Sequence, residues 1–261
     1  SSSLVGSEMC IRDSYYDDLL MQRAGIYSEY QYRGIVEQNV TTVEDKIGNK
    51  VQPVADASFD AWIKYYRRNE NSPHSSISYY SKGAVLAMLL DLEIIHSTKG
   101  KKKLDDVLRY LWDFYKKKDR GFSDEEFQGA VEKVAGKKLD DFFQNHVFGT
   151  ETPDYQKYFG YVGLKVTDAN AGTDEIRVGL RMSGNKIAMV RQDGSAWKAG
   201  LNVNDEVIAV NGLRFEGDWK FFTNTMKPGD KATVMVNRGG VIMTFPIVMQ
   251  RTDRKQYRLE S

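Results

Sequence analysis

Ser78-Tyr79-Tyr80-Ser81-Lys82-Gly83-Ala84-Val85-Leu86-Ala87-Met88-Leu89-Leu90 is the stretch that decides how this chain is read. The run beginning at Ser78 opens the pattern of a long apolar helix. Ala84–Leu90 is apolar all round, so the helix it forms is buried on most sides. Asp91 and Glu93 end the apolar run well short of a bilayer-spanning length. The spacing predicts a helix from Ser78 to His96, broken by Thr98-Lys99-Gly100. Two adjacent tyrosines fall in its first turn. A phenol's ordinary pKa of about 10 keeps it protonated at neutral pH, so either hydroxyl can donate to a developing oxyanion.

Upstream, Tyr15–Ala24 reads as a helix, with Leu19, Leu20 and Arg23 at helical spacing and Gly25 as its C-terminal cap. Residues 26–54 are polar with scattered β-branched positions and read as loop with short strands. Ser58 reads as the N-cap of a helix through Arg68 that carries Phe59, Trp62, Ile63 and Tyr66 on one face. Asn69–Ser76, with Pro73, is a connection. Downstream, Leu104, Val107, Leu108, Leu111, Trp112 and Tyr115 recur at helical spacing and predict an amphipathic helix. Ser123 and Glu126 form a capping-box pattern for a helix through Val134, closed by Gly136, and Leu139–Val147 makes one more.

The character changes at Gly149-Thr150-Glu151-Thr152-Pro153. Beyond it, Ile187–Val190, Val207–Val210, Ala232–Val236 and Val241–Val248 read as strands. Asn211-Gly212, Pro228-Gly229-Asp230 and Gly239-Gly240 supply the turns between them. The fold class is therefore α+β in two domains, a helical part followed by a small β-rich part.

Composition narrows the partners. The 37 basic and 36 acidic residues leave a formal net charge of +1, which argues against a nucleic acid held by bulk electrostatics. The runs Lys101–Lys103 and Lys116–Lys118 read as solvated helix flanks. No apolar stretch is long enough for a membrane span. Leu4-Val5-Gly6-Ser7-Glu8-Met9-Cys10-Ile11-Arg12-Asp13 is similar to a translated adapter sequence, so residues 1–14 are expected to be non-native. The single cysteine, Cys10, falls inside that segment, so the rest offers no disulfide and no thiolate metal site.

Gly194-Ser195-Ala196-Trp197-Lys198-Ala199-Gly200-Leu201-Asn202-Val203-Asn204-Asp205-Glu206-Val207-Ile208-Ala209-Val210-Asn211-Gly212 resembles a PDZ domain of the bacterial type, with Asn204 where that family usually has glycine. The resemblance covers residues 159–250 as a domain, and 251–261 are left as a basic tail that frays. It implies that a peptide adds as an extra strand while backbone amides hold its C-terminal carboxylate. The loop predicted to do so is Arg177-Val178-Gly179-Leu180, with Val178, Gly179 and Leu180 as the binding residues. Tyr161-Val162-Gly163-Leu164 is the second candidate.

Residues 15–158 resemble the M61 glycyl aminopeptidase family of zinc metallopeptidases. The matching runs are Tyr15-Tyr16-Asp17, Arg23-Ala24-Gly25, Ser58-Phe59-Asp60-Ala61-Trp62-Ile63-Lys64, Ile77–Gly83 and Leu104–Trp112. The resemblance implies a thermolysin-like helical lobe. It also implies a zinc ion held by His-Glu-x-x-His and a further glutamate, and a tyrosine that stabilises the oxyanion of the tetrahedral intermediate. The Tyr-x-Lys-Gly run of related aminopeptidases maps onto Tyr80-Ser81-Lys82-Gly83, which makes Tyr80 the catalytic candidate and Tyr79 the alternative. Lys82 and Gly83 read as structural.

The zinc motif is not in this sequence. His74, His96 and His146 are dispersed, and none lies in His-Glu-x-x-His. Zinc is thus expected in a longer parent protein but not on this chain, and the chain alone is expected to lack peptidase activity. The implied function is a fragment of a zinc-dependent aminopeptidase acting on peptides or proteins, with glycine or alanine released by family analogy. Its PDZ domain takes a C-terminal peptide. The alternative is a non-enzymatic PDZ adaptor. A serine protease is disfavoured because no Gly-x-Ser-x-Gly elbow is present. An exported or periplasmic location is implied by the family alone.

Overall fold

The computed structural model describes residues 14–118 and 121–261. The adapter-like segment with Met9 and Cys10, and the side chains of Tyr115, Lys117 and Lys118, lie outside the described residues. The chain divides into two units, one of residues 1–68, 75–169 and 256–261, the other of residues 69–74 and 170–255. The α+β class is as the sequence predicts, with helices in the first unit and most strands in the second.

The helical unit begins with α1 (Tyr16–Arg23), closed by Gly25 at φ +74°. Next comes α2 (Glu29–Asp45), where the sequence predicts a loop. Ser28 and Gln31 form a complete capping box at its start, and Val36, Val40 and Val43 are buried along one face. Burial of that face outweighs the low helix propensity of its β-branched residues. A single turn follows at Ile47–Lys50, then α3 (Val54–Phe59).

The helix predicted over residues 58–68 is not formed. α3 starts earlier, after Pro53, and buries Val54 and Ala57, so Ser58 lies within the helix rather than capping it. The chain leaves the helix at Asp60, and turns carry it to Tyr66, with Ile63 N and Lys64 N both bonded to the Asp60 carbonyl. Phe59, Trp62, Ile63 and Tyr66 are consequently exposed instead of facing the core.

After the short α4 (Ser72–Ser75), whose residues 72–74 fall in the other unit, α5 (Tyr79–Ser97) forms the centre of the helical core. Leu89 and Ile94 have no exposed surface, and burying a side chain of that size stabilises by about 1.5–3 kcal/mol. α6 (Leu104–Lys118) packs Leu104, Val107 and Leu111 inward but leaves Trp112 exposed, off the predicted apolar face. α7 (Asp124–Ala135) has the predicted capping box, and Gly136 is its left-handed cap. α8 (Asp140–Phe142) runs into a π-turn at Phe143–Val147, and α9 (Tyr155–Gly160) follows.

The helical unit also holds a two-stranded antiparallel sheet of β1 (Lys165–Asp168) and a final strand at Tyr257–Glu260. The expected frayed tail is thus corrected. Its backbone amides at Tyr257 and Leu259 donate to Thr41 Oγ1 at 3.0 Å and Glu37 Oε1 at 2.8 Å on α2. Leu259 is buried in the helical core.

The second unit contains β2 (Leu180–Ser183), β3 (Lys186–Val190), α10 (Ser195–Ala199), β4 (Glu206–Val210), β5 (Leu213–Arg214), α11 (Lys220–Thr223), β6 (Lys231–Arg238) and β7 (Val241–Val248). Strand order is β2-β3-β4-β6-β7, with β5 paired to β4, and the C-terminal strand of the other unit is β8. β6 alternates, burying Ala232, Val234 and Val236. Phe215, Ile187, Val207 and Ile247 complete the core. Asn211 and Gly212 both have positive φ, at 52° and 77°, as the tight β4–β5 turn requires.

Candidate active site and peptide-binding loop

Ser78 caps α5, its Oγ accepting from Ser81 N at 3.3 Å. Tyr79 and Tyr80 therefore occupy the first turn, with ring centroids 4.2 Å apart. Tyr79 is 4% exposed and belongs to the core, whereas Tyr80 is half-buried. The turn-rich segment after α3 brings two further tyrosines to them. The Tyr66 hydroxyl lies 3.0 Å from that of Tyr79 and 3.1 Å from that of Tyr80. The Tyr65 ring stands edge-on to Tyr66, Tyr79 and Tyr80 at 5.2, 5.4 and 6.0 Å. Arg68 covers Tyr65 with its guanidinium 4.6 Å from the ring centroid. Burial raises the Tyr79 pKa well above the ordinary phenol value, and its hydrogen bonds with the neighbouring phenols add to the rise.

Tyr65 and Tyr66 are functional candidates that the sequence reading does not identify. A helical reading of their segment puts Tyr66 on an inward face. The signal lies in Pro53, which starts the helix early and frees the chain at Asp60.

Beneath the aromatic cluster, Lys82 is 3% exposed. Its Nζ donates to the Asn49 carbonyl at 3.5 Å, and burial lowers its pKa to about 8. Asn49 in turn donates to Glu44 Oε1 at 3.2 Å, which also accepts from the Tyr155 hydroxyl at 2.8 Å. Gly48 makes this approach possible, since a Cβ there would overlap the Ser76 carbonyl oxygen.

Two further contacts hold α1. Tyr15 donates to Asp91 and Tyr16 to Asp105 Oδ1, each at 2.7 Å. Burial pushes the Asp105 carboxyl up, but hydrogen bonds from Tyr16, Lys103 and Arg23 outweigh it and bring its pKa to about 2. A cleft of about 830 Å3 opens toward the other end of α5, lined by Tyr32, Leu92, Ile95, Phe159 and Leu259 among others, and the tyrosines at 65, 66, 79 and 80 take no part in it.

The three histidines stay apart. His74 Nε2 accepts from Gln192 N at 3.2 Å, His96 stacks on Tyr161 at 3.8 Å, and His146 Nδ1 bonds to the Glu151 carbonyl at 3.0 Å. Among the described residues no group of three or more His, Cys, Asp or Glu side chains is placed to hold a metal ion. The residues described therefore do not fit a zinc ion.

In the β-rich unit, Val178, Gly179 and Leu180 lead into β2, the end strand of its sheet. Gly179 has φ +83°, and a Cβ there would come within 3.3 Å of Arg191 Cβ. The Val178 carbonyl accepts from Ala196 N at 3.0 Å and the Gly179 carbonyl from Arg191 N at 2.7 Å. In a trans peptide the next amide points opposite its carbonyl, so the Gly179 and Leu180 N–H groups face away from α10 and β3. The second candidate loop, Tyr161–Leu164, lies in the helical unit. Its Tyr161 hydroxyl donates to Glu93 Oε2 at 3.1 Å, and the strand it leads into is paired with β8.

Residues 12–86 match the family model of the M61 glycyl aminopeptidases, and residues 160–248 match that of the PDZ domain. The crystal structure of an aminopeptidase N family protein from Idiomarina loihiensis aligns with a TM-score of 0.89 at 26% identity, covering 98% of this chain and 47% of that one. A probable periplasmic serine endoprotease, DegP-like, from Ectopseudomonas mendocina (strain ymp) is 34% identical over 84 residues, 31% of this chain and 18% of that protein. The serine endoprotease from Yersinia pestis is similar over 30% of each chain at 26% identity, with a TM-score of 0.27. The chain thus spans about half the length of the aminopeptidase and less than a fifth of the curated relative. Residues 12–86 are thus similar to the M61 glycyl aminopeptidases, and residues 160–248 to the PDZ domain.

Proposed function

We propose that this chain is part of a zinc-dependent aminopeptidase in which Tyr80 donates its hydroxyl proton to the oxyanion formed at the scissile carbonyl. The observation that carries the reading is the position of Tyr80. It stands in the first turn of a buried helix, half-exposed, in a run that fits the Tyr-x-Lys-Gly pattern and inside the matched residues 12–86. Tyr79 is the weaker candidate because its side chain is buried. The half-exposed phenol can meet a substrate without the helix unfolding, and a neutral donor aimed at developing negative charge supplies most of its effect in the transition state.

In this reading, zinc would polarise the carbonyl and activate water, held by side chains beyond the described residues, and the chain by itself lacks peptidase activity. The released residue is glycine or alanine. The β-rich unit binds a peptide C-terminus at the open side of β2, where the amides of Gly179 and Leu180 point away from the sheet partner. The match of residues 160–248 to the PDZ domain supports a second reading, a PDZ adaptor without catalysis.

The test is to express the gene with its upstream sequence and measure zinc-dependent release of N-terminal glycine or alanine. Tyr80→Phe should lower kcat by about 10²–10³. A zinc-loaded protein without activity toward any N-terminal residue supports the adaptor. Full turnover by Tyr80→Phe removes the role given to that residue.

A further inference from the structure

Residues 69–74 belong to the β-rich unit, although in sequence they lie between Tyr65–Tyr66 and Tyr79–Tyr80. Within this strap, Asn71 N donates to Asn69 Oδ1 at 3.0 Å, Ser72 N to the Asn69 carbonyl at 3.2 Å and His74 N to the Asn71 carbonyl at 2.9 Å. These local bonds fold the strap on itself, and Pro73 fixes φ just before the histidine. His74 then reaches out of it. Its Nε2 accepts from Gln192 N at 3.2 Å, and its ring stands edge-on to Trp197 with centroids 6.3 Å apart.

A turn presents the Gln192 amide. Gly194 N donates back to the Arg191 carbonyl at 3.2 Å, and Asp193 takes the left-handed region at φ +60°. No backbone carbonyl among the described residues takes the Gln192 amide. The same turn holds the candidate carboxylate loop, since Arg191 N donates to the Gly179 carbonyl at 2.7 Å.

An imidazole accepts a hydrogen bond only through an unprotonated nitrogen. The neutral ring therefore fits the Gln192 N–H, whereas the protonated ring sets two donors against each other. We propose that His74 is a pH-operated clasp: neutral, it seats residues 69–74 on the turn at residues 190–194, and protonated, it lets them go. Burial and then the Arg191 charge lower the His74 pKa, and they outweigh a hydrogen bond with the Val190 backbone that favours the protonated ring. Asp253 pairs with Arg191 at 2.9 Å and with Arg177 at 3.3 Å. Asp193 in the turn, Lys198 on α10 and Glu70 in the strap are the other ionisable side chains of these segments, and none of them adds to the shift. A seated-state pKa below the ordinary value of about 6.5 means that the clasp is fully closed above that value and lost as pH falls through the lowered one. Mild acid thus frees the middle of the chain that joins the two tyrosine pairs.

Hydrogen exchange of this chain, corrected for the intrinsic effect of pH and compared at about pH 7.5 and about pH 5, tests the clasp. Protection of the Gln192 amide and of residues 69–76 should fall about three- to tenfold at the lower pH, the scale of one hydrogen bond. His74→Ala should show the low protection at both pH values. His74→Gln keeps an uncharged acceptor and should hold its protection at both. Equal protection of the wild type at the two pH values overturns the clasp, as does wild-type protection in His74→Ala at neutral pH. A fall in His74→Gln as large as in the wild type overturns it too, because another group is then titrating. The ring resonances of His74, followed by NMR, need no variant: a midpoint that coincides with the loss of protection supports the clasp, and a charged ring on a strap that is still protected defeats it.

Discussion

The Tyr15 hydroxyl donates a 2.7 Å hydrogen bond to Asp91 Oδ2, joining the start of α1 to α5 across 76 positions of sequence. The other oxygen of the same carboxylate accepts from Leu104 N, also at 2.7 Å, and so caps α6. One buried side chain therefore ties three helices together.

Asp91→Ala should destabilise the helical unit by roughly 2–4 kcal/mol, because it leaves a buried hydroxyl and a buried amide without partners. Asp91→Asn, which keeps an acceptor, should cost less. Thermal melts followed by circular dichroism give the comparison, and equal melting temperatures for wild type and Asp91→Ala would contradict the tie.

Gly48→Ala should be at least as damaging, although its backbone is not in the left-handed region. The added methyl collides with the Ser76 backbone, which cannot swing aside as a long side chain would. A loss on the order of 3 kcal/mol in denaturant unfolding is expected, the upper range for overpacking. Wild-type stability in this variant would show that the segments can separate.

Glu93 is fully buried yet bonds to Lys137 at 2.8 Å and Tyr161 at 3.1 Å. Burial pushes its pKa up, but these partners and Lys157 outweigh it and hold the carboxyl below its ordinary value. The stability it supplies is thus present above the ordinary carboxylate range and lost as pH falls through its depressed folded value. Lys137→Met removes the nearest cationic partner of the carboxylate and should cost about 1–3 kcal/mol at neutral pH. Glu93→Gln should cost less, because the half-exposed lysine returns to water. Urea unfolding across the acid range would show both the order and the slope.

At Lys82 burial prevails over the charged neighbours instead. Its folded pKa of about 8 lies below the ordinary 10.5 because of burial. Between those values the unfolded chain holds a proton that the folded chain lacks, so stability should rise with pH across that window. The whole rise corresponds to roughly 3 kcal/mol. Lys82→Met should flatten this dependence and match or exceed wild-type stability at neutral pH. A wild-type unfolding curve that does not move between these pH values would mean the ammonium is solvated.

Asn204 has φ +71°, which accounts for its standing where the PDZ pattern usually has glycine. Asparagine tolerates the left-handed region better than other side chains. Asn204→Gly should be neutral or nearly so, while Asn204→Ala should destabilise the β-rich unit by about 1 kcal/mol. Chemical denaturation of the two variants side by side would settle their order.

Elements with local signals are legible in the sequence itself. The Ser123–Glu126 capping box, Gly136 and the Asn211-Gly212 turn are written in a few adjacent residues, and each forms where those residues place it. The capping box at Ser28 and Gln31 is just as local, but the valines and threonines after it point to extended chain. The segment after α3 misleads for the opposite reason. Phe59, Trp62, Ile63 and Tyr66 recur at helical spacing, yet no neighbouring surface among the described residues buries them. Periodicity reports that a face could be apolar, not that a partner is there to cover it.

For this protein the sequence alone determined the helical core around α5, the succession of strands along the β-rich unit and the pair of tyrosines in the first helical turn. Those follow from spacing and capping, which act over one or two turns of chain. Only the tertiary structure decided that Tyr66 reaches both tyrosines, that Asp91 joins three helices, and that β8 returns to α2. Each of these joins distant segments, or depends on a turn whose course is set by what the core leaves outside. Such contacts come from burial summed over many residues, and no short run of sequence carries that sum.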